Sequence, residues 1–126
     1  MKRSQGIILC LTIAMLIGSA GCINPFQMPP AAVTQAAYEA CNAGRYSQAE
    51  ELFSTAARQT MALGGGIKMV CDLSTRNGAI QNFKIDNVDV RGQGATVKFT
   101  IRFKGGDTKS DSDDLILEKG AWKITR

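Results

Sequence analysis

The fold is decided by residues 94–103, which read Gly-Ala-Thr-Val-Lys-Phe-Thr-Ile-Arg-Phe. Every second residue in this stretch is apolar: Ala95, Val97, Phe99, Ile101 and Phe103. Side chains alternate between the two faces of a strand, so this pattern predicts a strand with one buried face and one solvated face.

A second strand is predicted just before it, over about residues 80–90. Its apolar residues change parity: Phe83 and Ile85 are odd-numbered, whereas Val88 and Val90 are even-numbered. One extra residue in this strand would return all four side chains to the same face. We therefore predict a β-bulge near residues 86–87.

Turn-forming residues divide the rest of the C-terminal half into strands. Arg91-Gly-Gln-Gly94 and Gly105-Gly-Asp107 are typical of hairpin turns, and Lys119-Gly120 forms a third turn. Strands are therefore predicted over residues 108–118 and around Trp122 and Ile124. With the two strands before them, they form an antiparallel meander of four strands.

The region before the strands has helical periodicity. One apolar stripe spans residues 31–42 and ends at Gly44, a predicted left-handed cap. A second helix is predicted to start at a capping box, Ser47-Gln-Ala-Glu50, and to continue through Thr60. After three glycines, a third helix covers about residues 67–75. The fold class is therefore α+β, with three helices on one face of a curved four-stranded sheet.

The chain begins with the features of an export signal. Lys2 and Arg3 precede an apolar run over residues 6–18, and small residues follow. The run is shorter than the ~20 residues that span a bilayer. We interpret residues 1–21 as a signal peptide that is cleaved.

Residues 19–22, Ser-Ala-Gly-Cys, resemble the lipobox of bacterial lipoproteins. The resemblance implies that Cys22 is lipidated and that residues 22–30 form the anchored N-terminus and a proline-rich linker. The alternative is an ordinary cleaved signal followed by a structural cysteine. Ile23, rather than Asp, follows Cys22, which by analogy favours the outer membrane, facing the periplasm, in a diderm host.

Composition limits the function of the 105 residues after the signal, which suffice for one domain. Once Lys2 and Arg3 leave with the signal, 13 basic residues face 11 acidic ones, so a nucleic-acid partner is not indicated. The chain has no histidine, which excludes Ser-His-Asp and Cys-His catalysis. No cofactor is indicated.

Residues 31–126 resemble small bacterial lipoproteins of a domain family of unknown function with the cone-shaped nuclear-transport-factor-2-like (NTF2-like) fold. The resemblance is carried by Ala37-Tyr38, by residues 44–49 and 94–97, and by the ending Leu117-Glu-Lys-Gly-Ala-Trp-Lys-Ile124. It implies a cone with an open mouth. The family supplies no catalytic residues.

Cys41 and Cys71 are the thiols left after acylation of Cys22, and an oxidising compartment favours a disulfide between them. The alternative is two buried, unpaired cysteines. Four acidic residues crowd one hairpin: Asp107, Asp111, Asp113 and Asp114. Their spacing does not match an EF-hand, so we expect a solvated strand edge and no metal site.

These features favour a non-catalytic, membrane-tethered domain that binds a small apolar ligand or an envelope protein. The alternative is an enzyme that uses the pocket of the cone. One NTF2-like enzyme combines an Asp base with Tyr and protonated Asp donors. The candidates by residue type are Tyr38, Tyr46, Asp86 and Asp89. We expect Trp122 to pack in the core rather than bind a ligand.

Overall fold

The computed structural model describes residues 28–126, so the predicted signal peptide and Cys22 lie outside the described residues. Four helices precede four strands: α1 Pro30–Asn42, α2 Tyr46–Glu51, α3 Thr55–Leu63, α4 Gly66–Ser74, β1 Ile80–Arg91, β2 Gly94–Phe103, β3 Thr108–Glu118 and β4 Ala121–Ile124. The predicted α+β class is confirmed. Between residues 28 and 126, no helix has the length and apolar character needed to cross a membrane.

The sheet is an antiparallel meander in the order β1-β2-β3-β4. We call the face that carries the five apolar side chains of β2 the inner face. These side chains are buried and form the centre of the main core: Ala95, Val97, Phe99, Ile101 and Phe103. The alternation of β2 therefore sets which face of the sheet the helices cover.

The predicted bulge is present in β1. Ile85 pairs with Phe99 and Asn87 pairs with Lys98, so Asp86 is the extra residue between them. Because of this insertion, Val88 pairs with the buried Val97 and lies on the inner face, as Ile85 does.

Helix α1 is the helix that packs most directly on the sheet. Val33 and Ala37 belong to the main core. The helix ends in a Schellman motif, in which the amide of Arg45 donates to the carbonyl of Ala40 and Gly44 has a φ of 76°. The predicted left-handed cap is therefore confirmed.

The predicted second helix is wrong in one respect, because it is two helices, α2 and α3, separated at residues 52–54. The carbonyl of Leu52 accepts from the amide of Ile124, and the amide of Ser54 donates to the carbonyl of Ile124. Backbone groups that bond to β4 are not free to continue the helical ladder. The helix is thus interrupted by a strand that lies 70 residues later in the sequence.

The predicted capping box is also absent. Helix α2 begins at Tyr46, its N-cap is Arg45, and no side chain caps it. Ser47 therefore lies inside the first turn instead of at the N-cap position. A serine cap is present at α3, where the Ser54 hydroxyl accepts from the amide of Ala57 at 3.1 Å.

A disulfide joins the helices at one end of the layer. Cys41 in α1 and Cys71 in α4 are bonded, with their Cα atoms 4.9 Å apart. Both residues are buried in a small second core together with Ala40 and Ala49. The pairing predicted from the cysteine count therefore agrees with the structure.

Candidate functional site

A cavity of about 160 Å³ lies between α1, α4, the middle of β3 and the end of β4. Most of its lining is apolar, with a few polar groups at its edge. The lining residues are Ala37, Tyr38, Cys41, Phe53, Val70, Ser74, Asp113, Ile124 and Arg126. An apolar cavity of about 150 Å³ is large enough to hold benzene. The cavity therefore suits a ligand of that size or one end of a longer ligand.

Strand register brings Asp113 to this cavity. Asp113 pairs with Val97, whose side chain is fully buried on the inner face. Directly opposed residues in an antiparallel pair present their side chains on the same face. Asp113 therefore lies on the inner face and is half-buried.

The expectation of a solvated edge is wrong for part of the acidic hairpin. Asp107 and Asp111 are exposed, and Asp111 pairs with Lys109 at 3.6 Å. Asp113 and Asp114 are half-buried instead. The sequence does indicate which face Asp113 lies on, because Asp113 has the same parity as the apolar Leu115 two residues later.

The environment of Asp113 disfavours its ionised form. Burial is the main reason that the pKa of Asp113 is raised to about 7, and the negative charges of Asp111 and Asp114 raise it further. Within residues 28–126, no side-chain hydrogen bond or ion pair involves Asp113. A carboxyl group with a pKa close to neutrality can act as a proton acceptor or can bind a cation.

Tyr38 forms the opposite wall of the cavity, within an aromatic cluster. Its ring centroid lies 5.2 Å from that of Phe83 and 5.0 Å from that of Phe99. Burial raises the pKa of the Tyr38 hydroxyl, and the negative charges of Asp113 and Asp111 raise it further. The hydroxyl therefore stays protonated and is available as a hydrogen-bond donor.

Arg126 is the cationic residue of the lining. Its guanidinium group forms an ion pair with Asp114, whose carboxylate also accepts from the Thr96 hydroxyl at 3.0 Å. The positive charge of Arg126 therefore compensates the carboxylate of Asp114. The adjacent residue, Asp113, has no cationic partner among the described residues.

A wider groove continues from the cavity between α3 and α4. It has a volume of about 420 Å³ and shares Phe53, Val70 and Arg126 with the cavity. Its remaining lining residues are Ala56, Ala57, Thr60, Met61 and Thr125. The groove therefore adjoins the cavity on the side of Phe53 and Val70, and its own lining comes mainly from α3.

The four candidates chosen by residue type do not come together. Of these, only Tyr38 lines the cavity. Asp86 accepts from the Thr100 hydroxyl at 2.6 Å, and Asp89 pairs with Arg91 at 2.9 Å. Tyr46 packs against the small second core. Sequence reasoning therefore identified Tyr38 and missed Asp113, which lines the same cavity.

The sequence raised two further possibilities, a ligand-binding role for Trp122 and a metal site. Trp122 pairs with Leu117 across β3 and β4, and it packs, half-buried, against the main core without lining the cavity. In the part of the chain that the structure describes, no three His, Cys, Asp or Glu side chains converge as a metal-binding group would.

Solved structures resemble this arrangement of helices and strands. A proposed NTF2-like transpeptidase from Campylobacter jejuni superposes with a TM-score of 0.66, at 10% identity, over 79% of this chain and 99% of that one. The fold is NTF2-like. A SEC-C motif containing protein from Rhodopseudomonas palustris gives a TM-score of 0.62, at 16% identity, over 85% of this chain and 81% of that one.

At such identities the NTF2-like likeness concerns the fold alone, because one fold serves many functions. No protein-family model matches the chain, and no curated protein matches its sequence. Arguments about function therefore rest on the cavity and on the residues that line it.

Proposed function

We propose that this protein is a lipid-anchored domain of the bacterial cell envelope that binds a small, predominantly apolar ligand beside Tyr38. The observation that carries the ligand-binding part is the cavity of about 160 Å³ with its apolar lining. Ligand sites are typically concave and apolar, with a few polar groups that orient the ligand. Tyr38 and Asp113 supply such groups here.

Binding can be tested with toluene, a neutral probe of suitable size. Val70 lines both the cavity and the groove, so Val70→Trp should fill the site. Leu63→Trp is the matched control, because Leu63 is 91% exposed and lines neither. Saturating toluene should raise the melting temperature of the wild type and the control. An equal rise in Val70→Trp would show that the cavity is not the binding site.

The anchoring part rests on the lipobox resemblance at residues 19–22. Cells that produce the protein are labelled with an alkyne fatty acid. We expect label on the wild type and none on Cys22→Ala. Cys10→Ala is the matched control, since Cys10 lies in the apolar run of the signal, and it should label like the wild type. Equal labelling of Cys22→Ala would contradict the assignment.

The location follows from the residue after the anchor. Ile23 stands where Asp would favour retention in the inner membrane, so we place the protein in the outer membrane, facing the periplasm, in a diderm host. Fractionation of such a host should recover it with outer-membrane markers. Recovery with the inner membrane of such a host would contradict this placement.

One observation favours an enzyme as the second candidate. Asp113 has a pKa of about 7 and lines the same cavity as Tyr38, which suits a base and a hydrogen-bond donor. Mass spectrometry of molecules that co-purify with the protein can separate the two functions. A molecule that the wild type changes chemically and Asp113→Asn leaves intact supports the enzyme. A molecule recovered unchanged from the wild type supports binding.

A further inference from the structure

The chemical class of the ligand follows from the residues that line the cavity and the adjoining groove, and this inference rests on the proposed binding function. Asp113 lines the cavity, and residues of α3 line the groove. Phe53 and Val70 line both. A ligand that occupies both therefore has an apolar tail and one polar end.

The polar end lies beside Asp113, which has no cationic partner among the described residues, whereas Lys109 pairs with Asp111 and Arg126 pairs with Asp114. The titratable and charged groups near Asp113 are Tyr38 from α1, Asp111 and Asp114 from β3, and Arg126 after β4. Two of these four groups are carboxylates. Helix α4 contributes Ser74, which is uncharged. A cation would satisfy the Asp113 carboxylate in a way that these neighbours do not.

The arginine of the lining does not make the site suitable for an anion. The guanidinium group of Arg126 is already paired with Asp114. An anionic head group would have to compete with that carboxylate and would also lie next to Asp113. Like charges in a partly buried site repel strongly, since screening by water is weak there.

We propose that the cavity binds an amine with an apolar tail, whose ammonium group lies against the Asp113 carboxylate and whose tail passes Phe53 and Val70 into the groove. The ammonium group donates to Asp113 and to no group that already has a partner. Tyr38 lines the same cavity, close enough to Asp113 for the charge of that carboxyl to raise the pKa of the Tyr38 hydroxyl. The groove leaves room for the tail because its wall is formed by small side chains, such as Ala56 and Ala57.

The test compares three probes with the same tail and different heads: hexylamine, hexan-1-ol and hexanoate. The protein is purified as the cell processes it and held in lipid nanodiscs, with empty nanodiscs as the blank. Calorimetry should show hexylamine binding about tenfold more tightly than hexan-1-ol, because a charged hydrogen bond is stronger than a neutral one. Hexanoate should bind more weakly than either.

Two variants assign the effect to one carboxylate. Asp113→Asn keeps the shape of the side chain and should reduce hexylamine affinity about tenfold and hexan-1-ol affinity by much less, so the preference for the amine is lost. Asp107→Asn is the matched control, since Asp107 is exposed and does not line the cavity. Between pH 6 and pH 8, hexylamine affinity should increase in the wild type as Asp113 ionises, and it should stay constant in Asp113→Asn.

The outcomes separate this inference from the proposed function. If hexan-1-ol or hexanoate binds as tightly as hexylamine, or if Asp113→Asn binds hexylamine normally, the cavity binds apolar molecules but the amine assignment is wrong. If none of the three probes binds and toluene also fails to bind, both proposals are overturned. Tight hexylamine binding that Asp113→Asn loses supports both.

Discussion

At the scale of single residues, Asp113 stands out because its position costs stability. It is half-buried on the inner face, beside Val97, and two other carboxylates are close to it. A residue selected for stability alone would be apolar at this point of the strand, as Leu115 is. Unfavourable groups of this kind are concentrated at functional sites, which is why Asp113 is central to both proposals.

The cost should depend on pH in a defined direction. The pKa of Asp113 is about 7 in the folded protein and 3.8 in the reference state. Between these values the unfolded chain releases a proton that the folded chain retains, so the free energy of unfolding falls as pH rises. Below about pH 3 both states are protonated and the penalty is absent. Above pH 7 the penalty is complete, on the order of 2–4 kcal/mol.

Asp113→Asn should therefore be more stable than the wild type at pH 8, and the difference should disappear at about pH 3. Urea unfolding at pH 3, 6 and 8 measures this difference. Asp107→Asn, in the exposed turn of the same hairpin, should follow the wild type at every pH. A wild type whose advantage over Asp113→Asn increased with pH would mean that a favourable partner stabilises the ionised carboxylate.

At the scale of elements, the break between α2 and α3 shapes the site. Residues 52–54 leave the helix to bond with β4, and Phe53 forms a parallel bridge with Ile124. Both residues line the cavity. In a continuous helix these backbone groups would bond within the helix, and the cavity would lose the wall that Phe53 and Ile124 form.

Substitutions of two serines test which of them caps a helix, Ser54 at the start of α3 or Ser47 in the predicted capping box. Ser54 is fully buried, and its hydroxyl accepts from the amide of Ala57 and lies 3.3 Å from the Thr125 hydroxyl. Ser54→Ala should lower the free energy of unfolding by about 1–2 kcal/mol. Ser47→Ala, the matched control, should change it by less than about 0.5 kcal/mol, because Ser47 is exposed and caps nothing. A larger loss of stability in Ser47→Ala than in Ser54→Ala would support the capping box predicted from the sequence.

At the scale of the whole molecule, the four helices differ in how directly they pack on the sheet. Helix α1 packs on the sheet, α4 packs on α1 and α2, and α3 packs on α4. Helix α3 has no buried residues. The disulfide between α1 and α4 is therefore the covalent link that holds the outer helices, and with them Val70 and Ser74, against the cavity.

Reduction of this bond should weaken the whole domain. A disulfide that closes a loop of this length stabilises by about 3–4 kcal/mol in the chain-entropy model, so the melting temperature should fall by several degrees in reductant. The double variant Cys41→Ala/Cys71→Ala is the control and should not respond to reductant. Peptide mapping without reduction should recover the linked peptides. Two thiols that alkylate freely in the unfolded, unreduced protein would contradict the bond.

The amino-acid sequence determined the features that depend on local pattern. The alternation of β2, the parity change that marks the bulge at Asp86, the turns and the Gly44 cap all follow from neighbouring residues, because strand parity and helix termini are set within a few positions. The cysteine count indicated the link between α1 and α4, and the fold class followed from the order of these elements.

Only the tertiary structure decided how distant segments meet. The sequence around Ser54 reads as the middle of a helix, and the interruption comes from β4, which no local pattern contains. Asp113 reads as part of a polar edge until its register with Val97 places it on the inner face. Both depend on contacts between residues far apart in the chain. The physical reason is that backbone pairing and burial across the fold outweigh the weaker local preferences of helix and strand.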